Sequence, residues 1–271
     1  MTWRLLAAPG ADPAPGRGRV VAAVHGLADT GTTWHDLAAL LGAGYRWYAV
    51  DAPWSGDPGR SLQTDCARPA EWLRHALAAV PEPVDILVGH SFGANAVLDH
   101  LASRPEPTVR AAVLLAPLVR PEQRAPHPVL VARTRTAIRQ VVADGLRARL
   151  GPRTAHVGDD VLATMVDKAV ARVPDGAAEV VLERLLATPR PALGQVGTPT
   201  LVLAGRADQR LAGVRADSLA VMPAVEVRIH PHYGHFCHIT QATEVAAECA
   251  EFLDRVVPAP SPAGPTMEAF K

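Results

Sequence analysis

The chain has 271 residues, 48% hydrophobic and 20% charged, enough for one larger domain with a sizeable core. Lys and Arg together number 27, as do Asp and Glu, so the formal net charge is zero; that balance excludes a nucleic-acid partner, which needs a basic face able to displace phosphate counterions. Cys66, Cys237 and Cys249 fit neither a disulfide framework nor a zinc spacing, and no stretch suits a signal core or a membrane span, so the expected setting is the cytoplasm, with no membrane partner.

An opening strand over residues 3–7 is expected at a sheet edge, antiparallel to its neighbour. "RVVAAVHG" (19–26), "YRWYAVDAP" (45–53), "VDILVGHS" (84–91) and "VRAAVLLAP" (109–117) each read as a strand. Most are apolar at both alternating sets of positions, as in strands covered by helices on both faces. Helical spacing fills the intervals over 33–41, 69–79 and 94–103. Between 118 and 193 the alternation breaks into "RTRTAIRQVVADGLRARL", "GDDVLATMVDKAVARV" and "GAAEVVLERLLA", an insertion of three or four helices. Strands resume with "TPTLVLAG" (198–205) and "VEVRIHP" (225–231), with helices over 214–222 and 243–256. The fold class is therefore α/β, with a mostly parallel central sheet flanked by helices and joined by right-handed crossovers. The tail over 258–271, rich in Pro, Ala, Ser and Gly, is expected to be disordered.

"GHSFG" (Gly89–Gly93) is a G-x-S-x-G pentapeptide between a buried strand, "DILV", and a helix with Ala94, Val97, Leu98 and Leu101 on one face. In that context the serine is presented on a strained strand-to-helix turn, its flanking glycines leaving room for neighbouring backbone. Ser91 is thus a candidate nucleophile; the plainer alternative is a helix cap. A serine hydroxyl needs a base, and the base an orienting acid. In "HPHYGHFCHIT" (230–240), His235 follows a glycine in a turn before the last helix and is the candidate base, while His238 suits packing or capping. The four histidines of this stretch lack a matching carboxylate for a metal site, so neither metal nor cofactor is expected. Asp208, beyond the strand "LVLAG", is the candidate acid, giving the order Ser, Asp, His. Two backbone N–H groups are needed to hold an oxyanion. Phe92 supplies one and Leu27, after His25-Gly26, the other; His25 itself has a structural reading beside any contact with substrate.

Taken together, "VHGLADTGTTW", "VDAPWSGDPGRS", "GHSFGA", "LAGRAD" and "YGHFCH" resemble the α/β-hydrolase superfamily, over roughly 20–117 and 196–257. The resemblance implies a core of residues 1–117 and 191–257 with 118–190 as a helical cap. It carries the catalytic roles to Ser91, Asp208 and His235 and makes His25, Trp54 and Phe236 the expected substrate contacts. The sequence departs from the family pattern at Trp54 and Ser55, where glycine is common, and lacks a proline after Asp208.

Within the insertion, Arg120, Arg124, Arg133, Arg135, Arg139, Arg147, Arg149 and Arg153 face only Glu122 and Asp144 over the same span. They either steer an anionic or carrier-bound substrate or form a solvated face. The leading expectation is a serine hydrolase of a small-molecule ester, lactone or thioester. A lyase, eliminase or cyclase using the same residues is the alternative, and a non-catalytic ligand receptor the third.

Overall fold

The computed structural model describes residues 3–6, 18–55, 69–103, 108–118, 128–171, 173, 179, 190–208 and 216–258. Seven strands form one sheet: β1 (Trp3–Leu6), β2 (Arg19–Val24), β3 (Tyr45–Val50), β4 (Ile86–His90), β5 (Ala111–Leu115), β6 (Thr200–Gly205) and β7 (Val225–His230). Their order is β1-β3-β2-β4-β5-β6-β7, and only β1 runs antiparallel, against β3. The expected edge strand is therefore there, as are the six parallel ones.

Strand β2 shows why so many residues of the sheet are apolar. Val20, Ala22 and Val24 join one core, with Trp72 and Leu73 of α2 (Pro69–Leu77) and Val97 and Leu98 of α3 (Phe92–Ser103). Val21 and Ala23 join the other, with Leu37 of α1 (His35–Leu41) and Val245, Phe252 and Leu253 near the C-terminus. Because successive side chains point to opposite faces, a strand with a helix layer on each side must be apolar throughout.

From β2 the chain moves outward to β3, then returns across β2 to β4. The sheet thus changes direction between β2 and β4, and the crevice beyond their carboxyl ends is where open α/β sheets bind ligands. The segments after β2, β4 and β5 each hold a non-glycine residue in the left-handed region: Ala28 (φ 56°), Ser91 (φ 51°) and Ala116 (φ 46°). Such strain gathers at sites the surrounding structure over-determines.

Between β5 and β6 lie α4 (Pro128–Leu150), a 3-10 segment (Gly151–His156), α5 (Asp159–Val170) and α6 (Arg190–Leu193). On α4 the buried residues are Thr134, Ile138 and Gly145, a stripe at helical spacing on one face of the helix. Most of the third expected helix, and the tail beyond 258, lie outside the described residues. The expected helix over 214–222 is instead a 3-10 segment, Ala216–Val221. The chain closes with α7 (Cys237–Thr240) and α8 (Ala242–Val256). Among the described residues no helix is long and apolar enough to cross a membrane.

Candidate active site

Ser91 sits between the end of β4 and the first turn of α3. Its amide donates to Leu115 O on the neighbouring strand (2.9 Å), and its carbonyl accepts from Asn95 N (3.1 Å) to open the helix. The turn is crowded enough to require both glycines of the pentapeptide. A Cβ on Gly89 would stand 2.6 Å from Ala94 Cα, and one on Gly93 2.3 Å from Val24 O.

The last strand and its loop bring His235 over this turn. Its Nε2 lies 2.9 Å from Ser91 Oγ, and its Nδ1 2.7 Å from Asp208 Oδ2. All three side chains are buried. If the Asp208 carboxylate accepts from Nδ1–H, Nε2 carries the lone pair that faces the serine hydroxyl. Hydroxyl, imidazole and carboxylate are then arranged for proton transfer from Ser91 to His235, with Asp208 fixing the tautomer.

Beside Ser91 lies a narrow, partly enclosed pocket of about 20 Å3, room for about one water-sized group. Leu27, Leu118, Ile138, Val141, Val142 and Phe236 give it apolar walls, and Phe92 also borders it. Leu27 and Phe92, whose amides are the expected oxyanion donors, both border it. Phe236 is the one expected substrate contact that reaches the cavity. His25 and Trp54 do not line it, and both are fully buried. His25 donates from Nδ1 to Gly26 O (2.7 Å) and accepts Ala52 N at Nε2 (2.9 Å), while the Trp54 indole donates to His25 O (2.9 Å). Trp54 also packs edge-on against Trp72 and Phe92, where the family pattern commonly has glycine. These two residues fix the loop after β2 from beneath, because their polar atoms are already used.

Two supporting residues escaped the sequence reading, while a third, His238, was expected to pack or cap. Asn95, on the first turn of α3, donates to Leu118 O (2.6 Å) and accepts Leu118 N (2.7 Å), pinning a pocket wall to the nucleophile helix. A polar residue on the buried stripe of a helix was the only available signal. His90 donates from Nε2 to His235 O (2.8 Å) and so holds the backbone of the candidate base. His238 is fully buried with Nε2 2.9 Å from Thr33 Oγ1.

Asp29, His90 and His238 bring one ligand-type atom each within 4.8 Å of one another, all buried. Arg149 of α4 ion-pairs with the Asp29 carboxylate. A guanidinium there already neutralises the only anion of the cluster and opposes a dication, so no metal or cofactor step is derived from it. His230 and His232 lie apart from it and pair with Glu248 and Glu244. Two more arginines of α4 are matched from outside their own span, Arg135 by Glu179 and Arg139 by Asp167, while Arg147 lies near Asp144 on the same helix. Three arginines of the stretch thus meet carboxylates that lie outside it in sequence. Arg120 and Arg124 lie outside the described residues.

Burial drives His90 well below the usual imidazole range and His238 down to about 3, with Arg149 adding to both and the Asp29 carboxylate opposing it at His238. Unfolded, each histidine takes up a proton below about pH 6.5. The unfolded chain then binds more protons than the folded one, so stability present above pH 6.5 is lost as pH falls from there toward 3. Each such proton contributes a slope of about 1.4 kcal/mol per pH unit. Urea unfolding between pH 7 and 4.5 is expected to show this decline, flattened by up to one proton in His238→Gln.

The doubly wound sheet carries a serine turn at its switch point, with an imidazole and a carboxylate within reach. The alpha/beta hydrolase family profile matches residues 21–248, and the chain belongs to that family of hydrolases. It is similar in structure to the esterase RhEst1 from Rhodococcus sp. ECU1013, with a TM-score of 0.66 at 20% identity over 94% of each chain. Est816, an N-acyl homoserine lactone degrading enzyme, gives 0.66 at 18% identity over 93% of this chain and 96% of its own. A bromoperoxidase from Bacillus anthracis gives 0.67 at 19%, over 93% and 100%. Sequence comparison with curated proteins gives no match.

Proposed function

We propose that the protein is a serine hydrolase that cleaves a carboxylic ester, lactone or thioester of a small molecule through an acyl-enzyme. The observation that carries this reading is the buried relay of 2.9 and 2.7 Å linking Ser91, His235 and Asp208 beside an apolar pocket. Ser91 Oγ attacks the carbonyl carbon as His235 Nε2 takes its proton, and the amides of Leu27 and Phe92 hold the oxyanion. His235 returns the proton to the departing alcohol or thiol. Water, deprotonated by His235, then releases the acid. Residues 1–117 and 191–257 act as the core and 118–190 as a cap, a division supported by the α4 residues on the pocket wall. The buried thiols of Cys237 and Cys249, which form no disulfide, support a cytoplasmic setting. Arg135, Arg139 and Arg149 are engaged by carboxylates, and the apolar walls beside Ser91 favour an uncharged acyl group.

A fluorophosphonate is expected to label Ser91, located by peptide mass spectrometry, with an ester screen giving turnover. Labelling elsewhere, or none, overturns the reading. In ¹⁸O-water, label in the acid product separates hydrolysis from elimination or cyclisation, the alternative use of the same residues. Asp208→Asn is expected to lower kcat about 10³- to 10⁴-fold, because an amide donor facing Nδ1 favours the wrong tautomer; steady-state kinetics on the folded variant check this.

A further inference from the structure

Helix α4 roofs two neighbouring spaces. Ile138, Val141 and Val142 line the narrow pocket beside Ser91, while Asp144, Arg147 and Ala148, further along, line an open groove of about 440 Å3. The groove runs along Asp208 and Thr240, and His235 and Phe236 border both spaces. Within the second stretch, next to Asp144, lies Gly145, buried, where a Cβ would stand 2.7 Å from Phe236 Cζ. The helix can close on the ring only because nothing but hydrogen projects there. On its other sides the ring meets the imidazoles of His90 and His235, each with centroids 5.2 Å away. Phe236 is 8% exposed, so it is held as a partition and does not hang into either space.

We propose that Phe236, pressed against Gly145, is the wall that ends the narrow pocket and limits the acyl group to a short apolar chain; this names the substrate class of the serine hydrolase proposed above and rests on that reading. After the alcohol or thiol departs, the acyl group remains bonded to Ser91 and must occupy the space around it, which is the apolar pocket. The leaving group takes its proton from His235, and His235 borders the open groove. The two spaces therefore divide the substrate at its scissile bond, and Phe236 stands at that division. Removing the ring joins the spaces and lets a longer chain run on beneath α4. A methylene that gains or loses an apolar wall changes discrimination by about tenfold or more.

The test needs no knowledge of the natural ester. Ser91 is phosphonylated with two fluorophosphonates, one bearing an ethyl and one a decyl chain, and the two rates are read by intact-protein mass spectrometry. The parent protein is expected to react faster with the ethyl reagent. Phe236→Ala is expected to raise the decyl-to-ethyl rate ratio at least tenfold, and Gly145→Ala, which drives the ring into the pocket, to lower it. Should Phe236→Ala fail to fold by circular dichroism, Phe236→Leu carries the same comparison. Labelling of Ser91 with a ratio within twofold of the parent's in these variants, or a parent indifferent to chain length, overturns the partition alone. A parent in which neither reagent modifies Ser91 overturns the serine-hydrolase reading, and the partition falls with it.

Discussion

Ser91→Ala is expected to lower kcat by about 10⁵- to 10⁶-fold while leaving a folded protein. The loss is large because the relay acts as a unit: without Oγ, His235 has no proton to take and no acyl-enzyme forms. Residual turnover would come from the pocket and the oxyanion donors alone. A steady-state assay on a chromogenic ester, with enzyme in excess to expose slow turnover, measures it; activity within tenfold of the parent would refute the nucleophile. The same position tests the cost of the strained turn. Ser91 holds a φ of 51°, and glycine adopts such a conformation without steric penalty. Ser91→Gly is therefore expected to be equally inactive yet more stable than Ser91→Ala by about 1 kcal/mol in thermal unfolding.

The second large effect is expected at Gly205, the last residue of β6. A Cβ there would stand 1.7 Å from Tyr233 O and 2.3 Å from Tyr233 C, which are backbone atoms that cannot rotate away. The contact joins the strand that leads to Asp208 with the loop that leads to His235. Gly205→Ala must push these two segments apart, and the 2.7 Å bond between acid and base lies just beyond them. Stability is expected to fall by about 3–5 kcal/mol, as for overpacking against fixed backbone. For a domain of this size that lowers Tm by about 10 °C. What remains folded is expected to lose about 10²-fold in kcat, the cost of a displacement near 1 Å. Differential scanning calorimetry and kinetics on the same sample separate the two; an unchanged Tm would mean that the close approach is not required.

Much of this site was legible in the chain itself because its signals are local. "DILV" followed by "GHSFGA" names a strand, a turn that tolerates only glycine at two positions, and a helix. The loops holding Asp208 and His235 follow recognisable strands in the order the motif demands. The supporting groups were less legible. His25, which the chain reads as structural, bonds backbone at both ring nitrogens, and Trp54 resembles a substrate contact when read along the chain, yet its indole N–H is spent on His25 O. The arginines of α4 look unopposed because Glu179, Asp167 and Asp29 lie far away in sequence.

The sequence by itself determined the parallel sheet, the serine turn and which carboxylate and imidazole stand beside it, since period-two and helical spacing, glycine and chain order are properties of neighbouring residues. Only the tertiary structure decided how the pocket is closed. Ile138, Val142 and Gly145 reach Ser91 and Phe236 from an insertion whose own pattern says helix and nothing more. Which residues face one another across two separately folded segments depends on packing, and packing leaves no periodic mark on either segment.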